Sequence, residues 1–177
     1  RNAELYFRRA VLLNKNNFPE PALVDFMKAW SMNKLEQYAL GAGKILMEKH
    51  PDSAIVFLQQ AIKEIPQTIM LRLTLARTLD LQNKTDDALK ICDDILKEYP
   101  SQLNTLLLKS DLLDKKQNTK ESIATLEKAY AIAPQLLELN FNLAFKYAQD
   151  KNMKVISLCD SLIKKDSLKI HPEPYYF

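Results

Sequence analysis

An all-α chain of stacked antiparallel helix pairs is what the sequence predicts, on three observations. Glycine is scarce, 2 in 177 residues, and sheets depend on glycine for tight turns and bulges. Proline keeps a fixed interval: Pro66 in KEIPQT, Pro100 in KEYPSQ and Pro134 in AIAPQL are each 34 residues apart. Small residues keep nearly the same interval in three parallel series, with a first step of 32 residues and, in the second and third series, a last step of 33. One runs Ala10, Ala42, Ala76, Ser110 and Ala144; a second Ala22, Ala54, Ala88, Ser122 and Val155; a third Ala29, Ala61, Ile95, Ala129 and Leu162. The second and third stay seven residues apart, two helical turns on one face. A period of roughly 20–50 residues is the signature of a solenoid.

Along the chain, proline marks the first two pairs. NFPEPA puts Pro19 or Pro21, and KHPDSA puts Pro51, in the first turn of a second helix, where a missing N–H costs little. First helices of the third and fourth pairs are read in MLRLTLARTLDL (70–81) and NTLLLKSDLLDK (104–115), apolar on a helical period. The polar breaks NKTDD, QNTKE and DKNMK follow. Thr85 and Thr119 are expected to cap the next helix, with Asp86, Asp87 and Glu121 favouring its positive end. The second helices DDALKICDDILKEY and KESIATLEKAYAIA then stop at the recurrent proline, which cannot donate into the ladder and crowds the preceding turn. The small residues fall where helices touch and a larger side chain would push the backbones apart. The segment HPEPYYF (171–177) reads as the start of a sixth first helix, with Tyr175, Tyr176 and Phe177 as its first apolar residues. No polar capping helix follows it. A fragment of a longer array, or an array whose ends pair with something, is therefore expected.

Composition narrows the function. Hydrophobic residues make up 47% and charged residues 27%, enough for a buried core. The net charge of +3 comes from 25 basic and 22 acidic residues, the basic ones mostly lysine spread along the chain, so no nucleic-acid partner is expected. No run approaches a membrane span, so direct membrane insertion is not expected. The compartment stays open between the cytoplasm and export with a leader or lipid anchor missing from this chain. Cys92 and Cys159 match no metal or redox spacing and are expected as buried inert thiols; His50 and His171 lack a ligand-like spacing, and His50 is expected on the surface. Phosphate loops, nucleophile elbows and metal motifs are missing. The expectation is a non-catalytic protein with no cofactor, no metal and no catalytic residues.

A 34-residue helix–turn–helix unit with small residues at its eighth, twentieth and twenty-seventh positions, and proline near its end, resembles the tetratricopeptide repeat. The resemblance covers about residues 3–167 and implies a right-handed α-solenoid, a single array over 1–177. Its repeats would be 3–34, 35–68, 69–102, 103–136 and 137–169, with 170–177 starting a further helix. The departures are a first junction two residues short, the larger Ile95, Val155 and Leu162 at small positions, and Ser167 where the fifth unit would have its boundary proline. Glycine-poor, lysine-rich repeats of this kind resemble bacterial ones.

The resemblance also implies a concave groove lined by the second, fifth, ninth and twelfth positions of each unit. From these the partner-binding residues are expected to be Phe7, Val11, Leu73, Arg77, Asp80, Leu107, Asp111, Asp114, Phe141 and Phe145. The second unit would place Glu36, Ala39, Gly43 and Leu46 there. Chaperone-adaptor members of the family hold C-terminal carboxylates with lysine, asparagine and arginine. Here the fifth positions are Phe7, Ala39, Leu73, Leu107 and Phe141, so a carboxylate clamp is not implied. The expected partner is a protein or peptide with an apolar segment and a basic group near the aspartates. The alternatives are a structural spacer or a scaffold that self-associates through open array ends.

Overall fold

The computed structural model describes residues 2–165, so the expected sixth-helix start at 170–177, Ser167 and His171 lie outside the described residues. Ten helices fill the described chain, with no strand among them: α1 (Ala3–Lys15), α2 (Pro19–Met32), α3 (Glu36–Lys49), α4 (Pro51–Glu64), α5 (Ile69–Leu81), α6 (Thr85–Glu98), α7 (Leu103–Lys115), α8 (Thr119–Ile132), α9 (Leu137–Gln149) and α10 (Lys154–Lys165). By internal contacts the chain divides into two compact units, Arg1–Ile91 and Cys92–Phe177, with the boundary inside α6.

Local chemistry sets the helix ends. Pro19 opens α2 and Pro51 opens α4, both in the first turn. Pro66, Pro100 and Pro134 each come two residues after the last residue of α4, α6 and α8. The expected threonine caps are corrected. Thr119 is the first helical residue of α8, and the cap is Asn118, whose side chain accepts from the Glu121 backbone N–H. Thr85 likewise lies inside α6, and its hydroxyl donates to Asp80 Oδ1 at 3.1 Å. At α8 Asn118 and Thr119 both suit a helix start, so the cap position is decided by where the preceding turn closes.

Those turns share one design. Asn17, Asn83, Gln117 and Lys151 have φ between 53° and 61°. Each ends a first helix, and the last three are again 34 apart. The next residue donates back five positions: Phe18 to Leu13, Lys84 to Leu79, Asn118 to Leu113 and Asn152 to Tyr147, at 2.8–2.9 Å. This is the Schellman arrangement, which satisfies the terminal carbonyls of a helix. The second pair departs from it. There a single residue, His50, donates to Leu46 O and accepts from Ala54 N–H, joining α3 directly to α4. His50 is exposed.

The small residues lie where helices meet. Ala10, Ala22, Ala29, Ala42, Ala54, Ala61, Ala76, Ala88, Ala129 and Ala144 are fully buried. In the α7–α8 pair both small positions are serine, and the two hydroxyls satisfy each other: Ser110 Oγ and Ser122 Oγ are 2.9 Å apart in the interior. Ile95 and Leu162 are as buried as the alanines they replace. In the first unit a cluster of Ala10, Ala22, Phe26, Ala42 and Ile45 ties α1, α2 and α3 together. In the second, Leu106, Leu126, Leu139, Leu143, Leu158 and Leu162 run through α7 to α10. The buried thiols Cys92 and Cys159 form no disulfide, and burial is the main force pushing the Cys159 thiol up.

Both glycines are on α3. A Cβ on Gly41 would lie 2.4 Å from the Phe26 ring, and one on Gly43 would lie 2.7 Å from Leu58 Cδ2. Helix α3 thus meets its neighbours at two points with no room for a methyl group.

Two stability changes follow. Gln117→Gly is expected to raise stability by about 0.5–1 kcal/mol, because glycine adopts the left-handed region without strain; urea unfolding with an unchanged slope would show it. Gly41→Ala is expected to cost about 1–3 kcal/mol by overpacking against Phe26, read as a lower urea midpoint.

Candidate partner-binding face

The structure separates the expected groove residues by exposure. Val11 is 43% and Phe145 47% exposed, while Arg77 and Asp111 are also on the surface. Asp80, Leu107, Asp114 and Phe141 are half-buried. Leu73 is 3% exposed and sits in the core, which corrects its expected place on the apolar track. Phe7 is half-buried between Phe26 and Tyr38, with ring centroids 5.9 and 5.0 Å away, so its ring serves packing first.

The second pair requires a larger correction. Ala39, Gly43 and Leu46 are buried, and the exposed stripe of α3 runs through Gln37, Lys44 and Glu48. On α5 the exposed stripe runs through Met70, Arg77 and Leu81, one repeat position earlier. Phe26 and Leu58 enter α3 at its two glycines, and the helix is turned accordingly. Leu107 and Phe141 flank the second unit's core cluster, and each keeps part of its surface outside it.

Charged pairs stitch the helices at the edges of these faces. Lys146 of α9 reaches Asp114 of α7 at 2.7 Å, so the basic group expected beside this aspartate comes from the chain itself. Lys109 of α7 lies 2.8 Å from Asp93 of α6 and 3.4 Å from Glu121 of α8. Burial pulls the Lys109 ammonium down, but the two carboxylates outweigh it and its net shift is upward. Glu127 of α8 accepts from Lys154 of α10 at 2.6 Å and from the Tyr147 hydroxyl of α9 at 2.7 Å. Those two bonds, the Lys154 one first, hold its carboxyl below the usual range. Burial, then Glu127, raise the Tyr147 phenol.

Sequence reasoning missed the pair that Arg9 and Asp25 form. Arg9 Nε and Nη2 donate to the two Asp25 oxygens at 2.6 and 2.7 Å, with Asp25 3% exposed. The available signal was one carboxylate inside the apolar run ALVDFM. A buried charge needs a partner, but nothing in the sequence pairs residues 16 apart on different helices. No group of His, Cys, Asp and Glu among the described residues could hold a metal ion. No described helix is long and apolar enough to cross a membrane.

Helix pairs joined by tight turns, touching at methyl-sized residues and presenting one face of each first helix, define a helical repeat scaffold for protein–protein interaction. Profiles of the tetratricopeptide repeat match residues 46–110 and 103–136, together reaching over just more than half of the chain. The chain belongs to the tetratricopeptide repeat family, whose members are typically non-catalytic interaction modules. Among solved structures it is similar to MamA residues 41 to the end from Desulfovibrio magneticus RS-1, at 15% identity and a TM-score of 0.75, with 96% of this chain and 97% of that one covered. It is also similar to YrrB, described as a TPR protein with an unusual peptide-binding site, at 18% identity and a TM-score of 0.67, covering 99% and 91%. A double mutant of MamA RS-1 gives 16% identity and a TM-score of 0.73, covering 93% and 97%. At these identities the likeness is one of fold. No curated protein sequence matches significantly.

The lowered Glu127 carboxyl has a sign that can be tested. A carboxyl whose folded pKa is depressed contributes stability above its unfolded pKa and loses it as pH falls through the folded value. Glu127→Gln is therefore expected to lower stability at neutral pH and to flatten its decline below about pH 4, the ordinary glutamate range. Urea midpoints measured across that range for both proteins check it.

Proposed function

We propose that the chain binds a protein or peptide segment with apolar side chains along its first-helix faces, foremost the face of α7 and α9 in the second unit. The observation that carries the reading is Phe145. A phenylalanine 47% exposed on a helix that buries Leu139, Leu143 and Tyr147 on its other side is surface the core does not require. Half-buried Leu107 and Phe141 extend the apolar surface, and the Lys146–Asp114 bridge fixes α9 against α7 at its edge. Recognition on this face rests on side chains, with apolar contact at Phe145. In the first unit Val11 and Arg77 are the residues of this set that reach solvent. These are positions that the resemblance to the family implies for its groove.

The test is selection from a displayed library of random peptides against the full chain and against Phe145→Glu. Wild type is expected to enrich apolar peptides that bind the variant at least tenfold more weakly, about 1.4 kcal/mol, with helicity by circular dichroism unchanged. Equal binding by both proteins would overturn the assignment.

A further inference from the structure

The turned helix α3 changes what the first unit shows on its first-helix face. Ala39, Gly43 and Leu46 are buried, and Lys44 is exposed in their place. Phe26 enters at Gly41 and Leu58 at Gly43, each too close to admit a Cβ. With α3 turned by one position, Lys44 at the tenth repeat position comes level with Arg77 of α5 at the ninth. Helices α3 and α5 pack against each other. Packed helices lie about 8–10 Å apart, a gap that two long basic side chains on the same side can span. This face is not an end of the array. Helix α3 contacts α1 as well as α5, through Tyr38 and Phe7 with ring centroids 5.0 Å apart.

Most cations in the middle of first helices are taken up by the chain itself. Arg8 lies 2.8 Å from Glu4, Arg9 2.6 Å from Asp25, Lys109 2.8 Å from Asp93 and Lys146 2.7 Å from Asp114. Lys44 and Arg77 differ. Both are exposed, and among the described residues neither makes a side-chain hydrogen bond or an ion pair. One turn further along the same helices stand Glu48, exposed, and Asp80, half-buried and accepting from the Thr85 hydroxyl at 3.1 Å. Apolar surface flanks the two cations on both helices. Leu40 and Met47 are half-buried on α3, and Met70 and Leu81 are 40% and 58% exposed on α5.

We propose that Lys44 and Arg77 together hold the side-chain carboxylate of an aspartate or glutamate in a bound protein segment. The apolar neighbours of that residue rest on Met70 and Leu81. The guanidinium offers two parallel donors to a carboxylate, and the ammonium adds a mobile third. The fifth positions, from which a carboxylate clamp would be built, are Ala39 and Leu73, both buried. The pair proposed here lies further along the helices and exists because α3 is turned. This inference rests on the reading that first-helix faces bind a protein segment, and it adds the charge of the residue bound in the first unit.

The experiment extends the peptide selection to the variant Lys44→Glu with Arg77→Glu. Both residues are exposed and unpaired, so its helicity and melting temperature are expected to stay unchanged. Wild type is expected to enrich peptides with Asp or Glu between apolar residues. The variant should bind these at least tenfold more weakly and itself enrich peptides with Lys or Arg at that place. Added salt should weaken the wild-type complexes. In the isotope-labelled full chain, the best acidic peptide should shift amide signals of α3 and α5. Absence of acidic peptides from the wild-type selection, equal binding of them by the variant, or shifts mainly elsewhere would overturn the proposal. Enriched peptides that lack a carboxylate and lose affinity only for Phe145→Glu would overturn it while leaving the reading of Phe145 in place. Acidic peptides that lose affinity only for the double variant would support it and overturn the Phe145 assignment.

Discussion

Two helices can lie against each other only as closely as the residues at their crossing allow, and here that crossing is held to a methyl group in three of the five pairs. Ala10 with Ala22 and Ala42 with Ala54 are fully buried. With the backbones this close, the longer side chains around each crossing interdigitate, and the leucines of the second unit form one cluster from α7 to α10. Gly41 and Gly43 carry the constraint further, leaving out even the methyl where Phe26 and Leu58 enter. Where the rule is relaxed, the interior adapts. Ser110 and Ser122 add two hydroxyls and pair them with each other, and Ile95 and Leu162 are absorbed as core residues.

Close packing leaves little room in the connections, and the links answer that locally. Four first helices end in a left-handed residue with a backward hydrogen bond. At Gln117 and Lys151 this conformation is held by residues with no intrinsic taste for it. Three of the second helices, α4, α6 and α8, end ahead of proline. Tight links on both sides leave each helix little freedom to rotate, so a change in one contact, as on α3, appears as a turn of the whole exposed stripe.

Polar residues then work at the seams. Lys109, Lys146 and Glu127 are partly shielded, and each joins two or three helices. A partly shielded pair is screened less than a surface one, so these bridges help fix which faces of the first helices look outward. Phe145 on α9 keeps 47% of its surface exposed in this arrangement.

The number of helices, their lengths and their breaks were legible in the sequence because their causes are local. A proline cannot continue a helix, and an alanine series on a 34-residue interval marks where helices can touch; neither depends on knowing the neighbours. The family could be read for the same reason. The azimuth of each helix was not legible. One residue is about 100° of helix rotation, so a shift of one position on α3 moved Ala39, Gly43 and Leu46 from an expected groove into the interior. Leu73 was misplaced likewise, because an apolar residue reads the same in a core and on a binding face. The Arg9–Asp25 and Lys146–Asp114 pairs join residues on different helices, and only the packed structure brings such residues within reach. Periodicity determined where the helices are; tertiary contact decided which way each one faces, and with it the surface available to a partner.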